Sequence, residues 1–110
     1  MFNKTDSLVF TVGDVYWSYR GSCKVLIVHG ILKDEQGYTR NFDHLLFVLR
    51  DGSMDMINEF MERFCCAFGF NSSEINGFKI LRKYQARVHL YSNRRGFDTL
   101  TKFDWITDNY

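Results

Sequence analysis

The sequence predicts an α+β domain, an antiparallel sheet of about six strands built from hairpins with one long α-helix packed on one face, in the order ββββ-α-ββ. Three observations predict it. Ile57, Phe60, Met61, Phe64, Cys65 and Phe68 recur at three- and four-residue steps, the spacing that lines one side of an α-helix. On both sides of that segment apolar residues alternate with polar ones or run in short blocks, the habit of strands. The chain has no proline, so its turns fall to Gly, Asn and Asp, which sit between the blocks.

Taking the elements in order, residues 8–12 and 15–19 are two strand-like runs separated by Gly13-Asp14, and Gly first in a two-residue loop suits a type II′ hairpin turn. Pairing across that loop sets Val12 against Val15, Phe10 against Trp17 and Leu8 against Tyr19, all on one face. Arg20-Gly21-Ser22 turns the chain into residues 23–32, whose run Val25-Leu26-Ile27-Val28 is apolar on both faces, as a central strand would be. After the turn at 34–37, residues 44–50 form a second two-faced run. Residues 38–43 between them are polar and are expected to extend the ribbon beyond the core. Local sequence leaves the register of 23–50 open: either Asp43 or Phe42 can stand opposite His29.

Residues 53–70 carry the helix, about sixteen residues and roughly 24 Å long. Ser53 is the expected N-cap, Asp55 suits the positive end of the helix dipole, and Gly69 suits a left-handed C-terminal position with Phe70 folding back on Cys65. Residues 71–74 suit the start of a short helical turn, and Asn76-Gly77 is a turn signal. The alternating runs 78–91 and 97–105 then form a hairpin over the loop 93–96, aligning Leu90, Val88, Ala86 and Tyr84 with Thr99, Thr101, Phe103 and Trp105.

Length and composition set the class. One hundred and ten residues, 45% hydrophobic and 25% charged, are read as a single globular domain spanning 1–110. Eleven Phe, six Tyr and two Trp exceed what a small core usually needs; an aromatic-rich core is the first explanation, and aromatic surface available to a partner the second. A net charge of +1 creates no overall field for nucleic acid. The first fourteen residues lack a signal-peptide pattern and the longest apolar run is too short to cross a bilayer, so no membrane association is expected. Three cysteines without metal-type spacing fit a cytoplasmic setting.

No motif for catalysis, metal or cofactor emerges, and none of these is expected. Cys65-Cys66 reads as packing, because adjacent helical residues point about 100° apart. His29 with Asp43 across a hairpin is the best arrangement for a base and its orienting group, and it depends on the open register. Asp55, Glu59 and Glu62 form an acidic line that reads as a solvated face, with Glu59 placed to pair with Arg63.

One feature stands above background. Between residues 71 and 95 six cations, Lys79, Arg82, Lys83, Arg87, Arg94 and Arg95, meet Glu74 alone. Lys79, Lys83, Arg87 and His89 share one strand parity with Tyr91, so they are expected to project together, with the loop residues Arg94 and Arg95 beside them. These seven are the expected partner-binding residues. The function expected is that of a small non-catalytic cytoplasmic protein that binds and blocks or modulates a macromolecular partner, as an inhibitor, antidote or anti-defence protein of phage or mobile-element type would. A protein partner is expected first; the alternative is a nucleic-acid-binding module using the basic strand 79–95, with a phosphate backbone along the stripe. Unpaired strand edges leave room for a homodimer.

Overall fold

Strand β1 (Leu8–Arg20) runs unbroken through the middle of the sheet, in a computed structural model that describes residues 7–71, 73, 75, 77–92 and 98–107. The expected hairpin turn at Gly13-Asp14 is instead a β-bulge. Against β2 (Cys23–Lys33) the register steps from Val12 opposite Gly30 to Asp14 opposite His29, leaving Gly13 as the extra residue. A two-residue turn and a one-residue bulge reverse the alternation of side chains in the same way. Leu8, Phe10, Val12 and Val15 therefore still share one buried face, although the two halves of β1 do not pair with each other.

The sheet accordingly has five strands. With β3 (Thr39–Phe47), β4 (Gln85–Ser92) and β5 (Asp98–Trp105), the order is β3-β2-β1-β4-β5, antiparallel throughout, and helix α1 (Asp55–Phe68) packs on one face. The fold class read from the sequence holds; the strand count falls by one because residues 8–19 make one strand.

The sheet is strongly curled. In a flat sheet β3 and β5, four strand spacings apart, would be separated by about 19 Å. Here Arg40 of β3 donates a hydrogen bond to Asp98 of β5 at 2.7 Å, and the rings of His44 and Phe103 lie 5.5 Å apart. The two edges curl toward each other over Phe10, whose ring meets Phe42 from one side and Phe103 from the other. Of residues 38–43, expected beyond the core, Tyr38, Thr39 and Asn41 are exposed, whereas Phe42 packs against the core. Bulges supply local bending, at Gly13 in β1 and at Thr101 in β5, where the register steps from Lys102 opposite His89 to Leu100 opposite Leu90. Gly30 makes the closest approach possible, since a Cβ there would overlap the Thr11 carbonyl oxygen and come within 2.8 Å of the Phe10 ring.

Helix α1 fills the mouth of this trough. Its buried residues Ile57, Phe60, Phe64 and Cys65 are on the predicted stripe. Phe60 packs on Phe103 and Trp105, and Phe64 on Trp105 and Tyr84. The N-cap lies one residue later than expected: Met54 occupies it without a side-chain bond, while the Ser53 hydroxyl accepts from the Asp55 N–H at 3.3 Å. Gly69 adopts the left-handed conformation expected of it, φ 72°, and Phe70 folds back on Cys65 as expected, its N–H donating to the Cys65 carbonyl at 3.0 Å while its ring stacks on Phe64.

Two registers differ from or decide between the expectations. His29 stands opposite Asp43, and their side chains meet at 2.6 Å between Nδ1 and Oδ1. In the second hairpin Ala86 pairs with Trp105 and Val88 with Phe103, two residues from the expected alignment, and the Thr101 bulge brings Leu100 rather than Thr99 onto the inner face. Among the described residues no helix is long and apolar enough to cross a membrane.

Candidate functional site

The basic stripe forms only in part. Its strand was expected to begin near residue 78, but residues Lys79–Leu81 make a single 3-10 turn and β4 begins at Gln85. Lys83 sits between them at φ 74°, with its N–H donating to the Val12 carbonyl. Lys79 and Lys83 therefore lie outside the strand whose parity was to align them. Lys79 reaches across instead to Asp14 at 2.9 Å. That hydrogen bond, helped by the Val15 N–H, holds the Asp14 carboxyl below its usual range. Arg87, His89 and Tyr91 do project together, because Ala86, Val88 and Leu90 are buried on the other side. Even there the charge is mixed: Arg87 faces Asp104 and His89 faces Lys102 on β5. Arg94 and Arg95 lie outside the described residues.

The outward face of the sheet, opposite α1, divides into two regions. At one end Tyr16, Ile27 and Leu45 form one cross-strand row, with Ser18, Val25 and Phe47 in the next outward-facing row. Val25 and Ile27 are buried, each flanked by cross-strand neighbours on both sides, and Tyr16 is 42% exposed. The opposite end carries Lys33, Arg87, Asp104, His89, Lys102 and Tyr91, with His29, Asp43 and Asp14 in the row between the two regions. Sequence reading missed the apolar end. Its members come from three strands, and the two-faced pattern of β2 and β3 shows that both faces are apolar without showing that one is left without a helix.

The chemical candidates take ordinary places. His29 and Asp43, side chains 39% and 37% exposed, form a cross-strand pair on the outward face. Glu59 pairs with Arg63 one helical turn on, at 3.1 Å. Cys23 and Cys66 are exposed, Cys65 is buried, and all three are free thiols. Among the described residues no three His, Cys, Asp or Glu side chains gather to hold a metal ion.

A second feature lies on the inner side. Where α1 meets the gap between β3 and β5, a cleft of about 250 Å³ is lined by His44, Phe60, Phe103 and Trp105, with Glu59, Arg63 and Thr101 also on its walls. His44 is the polar side chain set among the aromatic walls, its ring near-parallel to Phe103 and tilted against Phe60. Loss of hydration in these aromatic surroundings pushes its pKa from 6.5 down to about 4. The charged groups lining the cleft, Glu59 and Arg63, both come from α1 and pair with each other; the residues that β5 contributes are uncharged.

This has a consequence for stability. Between pH 4 and 6.5 the unfolded chain binds a proton at His44 that the folded chain does not, so stability rises with pH across that window. Acidification from pH 7 to 4 is expected to cost at most about 3 kcal/mol through this residue. Urea unfolding at pH 7, 5.5 and 4 should show His44→Gln losing less stability than the parent. Equal pH slopes for the two proteins would refute the assignment.

Comparison with known protein families, with characterised proteins and with solved structures finds no significant match.

Proposed function

We propose that this is a non-catalytic binding protein that engages a protein partner through the outward face of its sheet and acts by occupying it. The observation that carries this reading is the composition of that face: an apolar end around Tyr16, Leu45 and Phe47 beside an end of mixed charge around Arg87, Asp104 and Lys102. Protein interfaces combine an apolar centre with a polar rim, and aromatic residues and Arg anchor them. A phosphate backbone asks instead for cations of one sign, and Lys79 is matched by Asp14 while Asp104 faces Arg87. The apolar residues extend the partner-binding set beyond Arg87, His89 and Tyr91. Inhibition, antidote action or neutralisation of a defence enzyme are all forms of such occupancy.

The test is capture from a lysate of the source organism with tagged protein, before and after nuclease treatment, alongside Tyr16→Ser and Arg87→Glu variants. Retention of one protein that survives nuclease and falls at least about tenfold in either variant is the expected result. Retention that nuclease abolishes, or binding to DNA or RNA that weakens steeply with salt, would replace this reading with the nucleic-acid one.

A further inference from the structure

We propose that the cleft between α1 and the two edge strands binds a small planar molecule of the phenol type, its ring against Phe60, Phe103 and Trp105 and its hydroxyl on the imidazole of His44. Size permits it. The cleft measures about 250 Å³, and an apolar cavity of about 150 Å³ already accepts benzene.

The walls select a ring. Phe60, Phe103 and Trp105 meet pairwise edge-on at centroid distances of 5.1, 5.5 and 4.9 Å. These rings are in mutual contact, and His44 already lies against Phe103 and Phe60, so a further ring packs against their cleft-facing sides, where offset or edge-to-face geometry is favoured by the aromatic quadrupoles. Leu46, Met56 and Leu100 complete an apolar lining. Binding sites for small molecules have this make-up, mostly apolar with few polar groups that fix orientation.

His44 selects the hydroxyl. Among the described residues its side chain makes ring contacts but no hydrogen bond. A neutral imidazole offers one N–H and one lone pair, and a phenol hydroxyl can donate to the second or accept from the first. Because His44 stays neutral down to about pH 4, it presents both at neutral pH. Glu59 and Arg63 pair with each other, so neither sign is left in excess to favour a charged ligand. The site is on the inner side of the sheet, away from the outward face assigned to a protein partner, and the two readings stand or fall separately.

The experiment is an NMR titration of the isotopically labelled full chain with phenol, and with toluene and cyclohexanol, which lack the hydroxyl and the aromatic ring respectively. Phenol is expected to shift the Trp105 indole N–H and the backbone amides of Phe60 and Phe103 saturably, and to bind about tenfold more tightly than either comparison probe. His44→Leu is expected to erase the difference between phenol and toluene while leaving toluene bound. The comparison in the parent protein decides the matter even if that variant folds poorly. No saturable shift with phenol up to its solubility, or equal affinity for phenol and either other probe, would overturn the proposal.

Discussion

Phe64→Ala is expected to lower the free energy of unfolding by about 3–5 kcal/mol, a large part of the whole for a domain of this size. Phe64 is fully buried and its ring touches four others, Phe68, Phe70, Tyr84 and Trp105, at centroid distances from 4.9 to 5.7 Å. Those partners come from the helix, the segment after it, the residue preceding β4 and the end of β5. Removing the ring leaves a cavity where helix and sheet join, and neighbours held by the helix, by the strand end at Trp105 and by the Tyr84 backbone bond to Val12 can collapse into it only partly. Denaturant unfolding should give a lower midpoint with an unchanged slope. A loss below about 1 kcal/mol would mean that α1 contributes little to the core.

Gly30→Ala is expected to cost about 3 kcal/mol or more, although it adds one methyl group in a strand. The added Cβ would overlap the Thr11 carbonyl oxygen and press on the Phe10 ring. The first obstacle is backbone in the central strand and the second is the ring between Phe42 and Phe103, so neither can step aside cheaply. Gly13→Ala is the control. A Cβ there meets nothing nearer than the His29 carbonyl oxygen at 3.6 Å, ordinary van der Waals contact. The two variants should therefore differ by at least about 2 kcal/mol in midpoint-derived stability. Equal effects would show that the strands relax around an added methyl group at Gly30, and would refute the close-approach account, since neither glycine has a positive φ.

The helix was legible in the sequence because its signal is local. Periodicity, the Gly69 terminus and the stripe from Ile57 to Phe68 all lie within one segment, and the structure reproduces them to within two residues at either end. The strands were legible as strands, but their partners were only partly so. Gly13-Asp14 shows why: a hairpin turn and a bulge produce the same break in alternation, and the choice depends on residues 23–33 and 85–88, which lie far along the chain and supply the pairing. Lys79 and Lys83 were misplaced for a related reason. Alternation from 78 to 84 is compatible with a strand, yet that segment is taken up by a turn whose backbone bonds run to Val12.

What the sequence determined by itself is the fold class, the helix and its buried side, and which apolar residues share a face, because these follow from the repeat of side-chain direction along helix and strand. Tertiary structure alone decided the number of strands, the curl that brings Arg40 to Asp98, the cleft around His44 and the mixed charge around Arg87. Each of these depends on groups from distant parts of the chain meeting, and that meeting is set by the packing of all five strands around Phe10 and the helix rather than by any neighbouring residue.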